Sequence, residues 1–408
     1  MVFGVNDKAR GRKGAVLGVP LEIDENLLKK AVYDRTDPKI TPVFESLSVP
    51  EGTGRVLVMQ VYPGLPPYTD TAGRGKIRIG KDCQPLTGTL RRQVMVETGE
   101  TDFTAGLMTE DAIAVLSASA IEQLREAARK EHAPAELLRL STEEFLNALG
   151  VTREGKLTRG GLLLVGAPAA IERHIPRYVW TFLRMRGDTE YTERLDGREA
   201  LPVAIKRLMD RLQAGNPVTT VPQGPFHFEY RTYPEIALRE TLMNAFCHAD
   251  FRLASPILVK QYEDRIEISN PGGFIGGITP RNILHHRPEA RNPHLVDVLT
   301  RLRLVNRSHL GISRIYSSLL IEGKDPPIYE QRGDGVTMTF LARPLSAPFR
   351  TFVAEEAEHG RILQVDQLLL LHYLLRHPSL DILTAARLTQ LSEDRAREVC
   401  DGMVGLYP

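Results

Sequence analysis

The spacing of apolar and polar positions changes period several times along the chain. Met1–Val5 is apolar, meets a turn at Asn6-Asp7 and a basic stretch, and resumes as apolar residues Ala15–Val19. This predicts a β-hairpin with a basic tip. Arg55–Tyr62 is rich in Val and Lys76–Gly80 alternates basic with apolar residues, so both predict strands. With strand character already present at Met1, the chain is expected to have been shortened at its start. Thr109–Lys130 has helical periodicity, and Ser141–Leu149 predicts a helix with Ser141 as N-cap and Glu144 at the capping-box position. Thr158–Val165 predicts a turn through Gly160-Gly161 into an apolar strand, and Ala200–Gln213 an amphipathic helix.

From residue 226 to 345 the texture changes. The pattern predicts a helix at Pro234–His248, strands at Pro256–Tyr262 and Arg265–Ser269, and a glycine-rich loop at Asn270–Gly277. A helix at Asn292–Leu302 and a closing strand at Gly335–Ala342 follow, which together predict an α/β sandwich with helices over one sheet. Acidic Glu355–Glu358 predicts a linker, and Ile362–Pro408 three helices at 363–376, 384–390 and 393–403. The expected fold class is therefore α/β within a multi-domain α+β chain. Its expected divisions are 1–98, a helical or mixed connector at 110–225, a domain at 226–345 and a helical module at 360–408.

A length of 408 residues calls for two to four domains. A 42% hydrophobic and 25% charged composition is that of a globular protein. The formal net charge of only +1 means that any site for a polyanion must be a local patch. Cys83, Cys247 and Cys400 form no Cys-x-x-Cys pair, which argues against a disulfide framework or a cysteine zinc site and for a reducing compartment. No apolar run is long enough to span a bilayer and no signal pattern follows Met1, so a cytoplasmic protein without membrane partners is expected. The absence of Gly-x-x-x-x-Gly-Lys-Ser/Thr disfavours a P-loop engine and helicase activity.

The richest chemistry lies in Tyr233–Phe251. On a helix, positions 240, 244 and 248 drift by about 40° per step and share one face. A stripe of Glu240, Asn244 and His248 on an otherwise apolar helix is expensive unless it meets a ligand, a metal or water. An Asn oxygen suits Mg²⁺ and a Glu one turn away can orient or deprotonate water. A Glu and an Asn four apart also occur as surface pairs, so the motif gains weight from its company. That company is a strand ending in Asn270-Pro-Gly272-Gly273, where glycines let backbone approach a flat ring or a phosphate. Ser308-His-Leu-Gly311-Ile-Ser-Arg314 predicts another loop at a helix start. His248 is expected to pack or to support the site, and His285-His286 to be a polar loop.

Two further regions suggest nucleic acid. Lys8, Arg10, Arg12 and Lys13 on one turn, with Arg78 and Lys81 on another, could release counterions from a phosphate backbone, although a solvated basic loop explains either cluster equally well. Leu383–Leu391, the Ser392 cap and Glu393–Met403 have a helix-turn-helix layout, with Arg395 and Arg397 pointing from the second helix; three-helix packing, as in a dimer, is the alternative.

LRETLMNAFCHADF at 238–251, IEISNPGGF at 266–274, RNPHLVDVL at 291–299 and LGISRI at 310–315 resemble the divergent GHKL-type (gyrase, heat-shock chaperone, histidine kinase, MutL) domain that follows Schlafen/AlbA-like domains, in proteins labelled transcriptional regulators or RecG-like helicases. The resemblance implies bound ATP with Mg²⁺. It implies Glu240 as general base or water-orienting group, Asn244 on the metal side, Asn270, Gly272 and Gly273 near adenine, and Gly311 near the phosphates. The chain departs from the wider family in having Asn270 where an Asp reads adenine, and Ser308-His309-Leu310 where a glycine is common. The segments at 1–19, 55–68 and 76–86 resemble the later two-thirds of a Schlafen/AlbA-like domain; its opening acidic signature is missing, so nuclease chemistry is not expected. The C-terminal helices resemble a winged helix that is cut short or lacks its wing at Gly405–Pro408. The expected function is an ATP-binding, DNA-binding transcriptional regulator, with a homo-oligomer and weak ATP hydrolysis both left open. The alternatives are an ATPase that remodels nucleic acid or protein, as in phage defence, and a scaffold with a decayed nucleotide site.

Overall fold

The computed structural model describes residues 2–404 apart from 7, 10, 21, 38, 50–53, 62–67, 80–81, 89–101, 224–225, 306–309 and 345. It comprises two compact units, 1–101 and 102–408.

In the first unit Arg55–Gln60 is the centre of a three-stranded antiparallel sheet between Val2–Phe3 and Val43–Ser48. Val2 faces Val58 and Phe44 faces Met59. The two apolar segments of the expected hairpin do meet, Val5 opposite Val16, but a helical turn at Arg12–Ala15 occupies the connection. Lys76–Ile79 is a strand, as its alternation predicts, paired with Asp82–Pro85. Among the described residues of this unit only Pro42, Val56 and Leu57 are buried.

The second unit is built on a six-stranded mixed sheet. Its order is Glu190–Gly197, Trp180–Arg186, Ile257–Gln261, Arg265–Pro271, Gly335–Leu341 and Ile328–Arg332. Trp180–Arg186 runs parallel to Ile257–Gln261; every other pairing is antiparallel. The first two strands come from residues 180–197, which the pattern leaves in the connector. Glu190–Gly197 is an edge strand of mostly charged and polar residues, so it carries little period-two signal. One contiguous core runs from Met108 to Phe340 and takes in connector residues such as Leu124, Phe145 and Leu163. The fold is mixed α+β, as expected.

Several local expectations need correction. Thr158–Val165 is not a turn and strand; Thr158 caps a helix, Arg159–Val165, whose residues from Gly160 onward are all buried. A short apolar run buried on every side has no periodicity to separate helix from strand. Thr109–Lys130 begins as a strand, Leu107–Asp111, before the helix Ala118–Lys130. Glu355–Glu358 closes the helix Ala347–Glu358, and Glu356 is buried against the guanidinium of Arg361. The capping box of Ser141 and Glu144 is present. The C-terminal module has helices Val365–Leu374, Ile382–Thr389 and Glu393–Val404 around Leu370, Ala385, Ala396 and Met403. Among the described residues no helix is long and apolar enough to cross a membrane.

Candidate functional site

The helix Glu235–His248 lies on strand Arg265–Pro271, between the helices Leu201–Ala214 and Leu310–Leu320. Ala237, Leu238, Thr241, Leu242, Ala245, Phe246 and Cys247 are buried, while Glu240, Asn244 and His248 keep partial exposure. The predicted stripe of Glu240, Asn244 and His248 runs along one face of the helix and rises by about 12 Å over eight residues.

At one end of the stripe, Glu240 meets two guanidiniums. Its Oε1 is 3.3 Å from Arg239 Nη2 and 3.5 Å from Arg314 Nη1. Arg239 is held a second time by Glu131. Gly311, in the first turn of Leu310–Leu320, faces the same carboxylate: a Cβ on it would lie 3.4 Å from Glu240 Oε2. Asn244 follows one turn on, and its side-chain amide has no hydrogen-bond partner among the described residues. Beyond it, burial, aided by the nearby charge of Arg291, pushes His248 down to about 4 and leaves it neutral. Burial pushes the Cys247 thiol up to about 12, which makes it a packing residue.

The far end of the helix is locked by groups that the sequence did not single out. Asn292 Nδ2 donates to the carbonyls of Cys247 and Ala249, both at 2.9 Å, satisfying buried carbonyls at the helix end that have no partner within the helix. Asp250 is buried; its Oδ1 accepts from Arg252 N and Nε, and its Oδ2 lies 3.6 Å from Arg291 Nη1. Arg291, also buried, donates from Nη2 to the Gly273 carbonyl at 2.7 Å. Asn270 Nδ2 donates to Pro271 O at 3.1 Å and to His248 O at 3.4 Å, tying the glycine turn to the helix end. Gly272 has φ +94°. A Cβ there would come within 2.8 Å of Arg291 Nε, and one on Gly273 within 2.8 Å of Gln331 Nε2. The close approach that these glycines allow is therefore taken by two side chains of the protein itself. The sequence signal for this lock was an Arg-Asn pair directly ahead of the helix Pro293–Arg301.

The structure thus gathers Glu240 with Gly311, and Asn270 with Gly272 and Gly273, with Asn244 between the two groups on the helix. The basic residues belong to other elements of the chain. Lys8 and Arg78 are exposed on separate elements of the first unit. Arg12 and Lys13 lie in the helical turn Arg12–Ala15, whereas Arg10, Lys81, Ser308 and His309 lie outside the described residues. Arg395 and Arg397 are exposed on Glu393–Val404, where Arg395 Nη1 is 2.6 Å from Glu398 Oε2. That helix also carries Glu393, Asp394 and Asp401, so acidic residues outnumber basic ones. Among the described residues no three His, Cys, Asp or Glu side chains form a metal cluster.

This is a helix-on-sheet α/β domain with one polar line reaching a glycine-marked helix start. Comparison with known families places it more closely. Residues 1–87 match the family described as Schlafen, AlbA_2, and residues 254–340 the family described as "Putative ATP-dependent DNA helicase recG C-terminal". The chain therefore combines a Schlafen/AlbA_2 domain with a RecG-C-terminal-type, ATPase-like domain, the architecture expected from its sequence, and the pairing points to a nucleotide-binding protein. Residues 92–181 match a domain of unknown function. The second match takes in Asn270, Gly272, Gly273 and Gly311, while Glu240 and Asn244 lie just upstream of it. Among solved structures, the DIP2311 protein from Corynebacterium diphtheriae is similar in fold, with TM-score 0.64 and 24% identity over 98% of this chain and 78% of that one. No curated protein matches the chain.

Proposed function

We propose that this chain binds ATP with Mg²⁺ along the Glu240–Asn244 face, and that nucleotide binding alters how its outer modules contact DNA or a protein partner in transcriptional regulation. The observation that carries this reading is the half-buried Asn244 amide, which has no hydrogen-bond partner among the described residues and stands one turn from a carboxylate that looks onto Gly311. The donor set fits a magnesium–nucleotide. Magnesium takes few protein ligands and otherwise holds water and phosphate oxygens. Asn244 would supply its one hard oxygen, and the amide groups that open the Leu310–Leu320 helix would face phosphate. The metal would neutralise phosphate charge; Glu240 would orient water in a slow hydrolysis. Asn270 and the Gly272-Gly273 turn would border the base end.

Two connections support a relay to the C-terminal helices. Beyond the glycine turn, Leu284 N donates to Gln390 Oε1 at 3.0 Å and Gln390 Nε2 donates to Pro280 O at 3.2 Å. On the helix Leu310–Leu320, the buried Tyr316 hydroxyl faces Gln390 as well. Both flanks of the nucleotide face thus reach one residue of the C-terminal module. Regulation through it requires two states that ATP binds unequally.

The acidic balance of Glu393–Val404 favours a protein partner there, leaving phosphate contact to the Schlafen/AlbA_2 unit through Lys8, Arg10, Arg12, Lys13 and Arg78. A second reading, a scaffold whose nucleotide site has decayed, is favoured by the filling of the glycine turn by Arg291 and Gln331. Calorimetric titration of Mg-ATP into the full chain and into Asn244→Ala separates the two. Binding lost in the variant supports a nucleotide site, and no binding to the unaltered protein supports the scaffold. DNA affinity that is identical with and without saturating ATP would end the regulatory part of the proposal.

A further inference from the structure

We infer that Arg314 is the residue that recognises the phosphate chain, exchanging its contact with Glu240 for the terminal phosphate of a bound nucleotide and so selecting ATP over AMP. The inference rests on the nucleotide reading of this face and deepens it. Arg314 stands three residues after Gly311, so both lie on the side of the Leu310–Leu320 helix that looks onto Glu240. The two arginines at Glu240 are not equivalent. Arg239 is shared between Glu240 and Glu131, which anchors it to the end of the Ala118–Lys130 helix. Arg314 has Glu240 as its one ion-pair partner among the described residues, and that contact is long, at 3.5 Å. Its side chain remains 48% exposed, against 12% for Glu240.

A guanidinium has five N–H donors in a planar fork that matches two phosphate oxygens at once. A single 3.5 Å contact leaves most of that capacity unused. Phosphate oxygens brought to the Gly311 turn would offer Arg314 a bidentate, charge-assisted partner within reach of its present position. The exchange is charge-balanced. Arg239 stays with Glu240, so the carboxylate keeps one cation, and its second acceptor oxygen turns toward the ligand. Arg314 is thereby a specificity residue for the phosphate chain and a positioning residue for Glu240. A nucleotide with a single phosphate would not extend from the base end to this arginine.

The test is calorimetric titration of the full chain with Mg-ATP and, separately, with AMP, for the unaltered protein, Arg314→Gln and Arg314→Lys, with thermal unfolding to confirm folding. The expected result is that Arg314→Gln weakens Mg-ATP tenfold or more, the scale of a lost charge-assisted hydrogen bond. AMP should change by less than about twofold in that variant, and Arg314→Lys should recover part of the loss because it keeps charge without the fork. Mg-ATP bound equally well by the unaltered protein and Arg314→Gln would overturn the assignment while leaving the nucleotide site intact. Equal weakening of ATP and AMP would overturn it too, since Arg314 would then only hold the helix in place. An unaltered protein that binds neither would remove the nucleotide reading and this inference together.

Discussion

Two helices of this protein carry polar side chains that the sequence singles out as site candidates, Glu235–His248 and Glu393–Val404, and they differ in what surrounds them. On Glu235–His248, seven residues are buried, and Glu240, Asn244 and His248 share one half-buried face. On Glu393–Val404 only Ala396 and Met403 are buried, and charges of both signs cover the rest. A polar group on the first helix costs free energy unless something satisfies it; on the second, water does so at no cost. The same residue types therefore carry different information. Half-buried Glu240 and Asn244 point to a ligand more strongly than the exposed Arg395 and Arg397 do.

The largest effect that would test this contrast is at the lock beneath the buried helix. Arg291→Met should cost roughly 3–5 kcal/mol in urea unfolding, because it leaves Asp250 undercompensated and the Gly273 carbonyl without its donor. The double variant with Asp250→Asn should recover part of that loss, and a cost near zero would show that the lock is not structural. Next is the neutral His248. Its value near 4 lies below its ordinary 6.5, so its stabilising contribution is complete above pH 6.5 and is lost as pH falls toward 4. By pH 5 the unaltered protein should have lost about 2 kcal/mol that His248→Gln does not lose, read from denaturation midpoints at pH 7 and pH 5. Equal losses in the two proteins would mean that the imidazole is solvated.

Smaller is the effect of Asn244→Ala on nucleotide binding. A loss of at least tenfold in Mg-ATP affinity, about 1.4 kcal/mol, is expected without a fall in stability. Smallest is the exposed helix: Arg395→Ala should change stability by less than about 0.5 kcal/mol, because its partner Glu398 is solvated too. A large loss there would erase the distinction between the two helices.

Much of the site was legible because helical period and turn chemistry are local. The face of Glu240, Asn244 and His248, the strand into Asn270 and the helix Pro293–Arg301 follow from spacing alone. Gly311 was placed correctly at a helix start, but nothing local said that it would press against Glu240, 71 positions earlier in sequence by their residue numbers. The wrong expectations share a cause. At Gly160–Val165 burial on all sides erased the period, and at Glu355–Glu358 charge suggested a linker where a buried Glu356–Arg361 pair closes a helix. In the sequence Arg291 figures only within the segment RNPHLVDVL, with no role of its own; the fold encloses it beneath the glycine turn.

By itself, the amino-acid sequence determined the mixed α+β class, the Schlafen/AlbA_2 and RecG-C-terminal domain types, and the residues of the polar helix face. These depend on short-range pattern, which survives without knowledge of distant contacts. Tertiary structure alone decided that strands from 180–197 complete the sheet, that Arg291 and Gln331 occupy the room beside Gly272 and Gly273, and that Arg239 and Arg314 flank Glu240. Those facts depend on which segments the folded chain brings within a few ångströms. Long-range packing sets that proximity, and no local period encodes it.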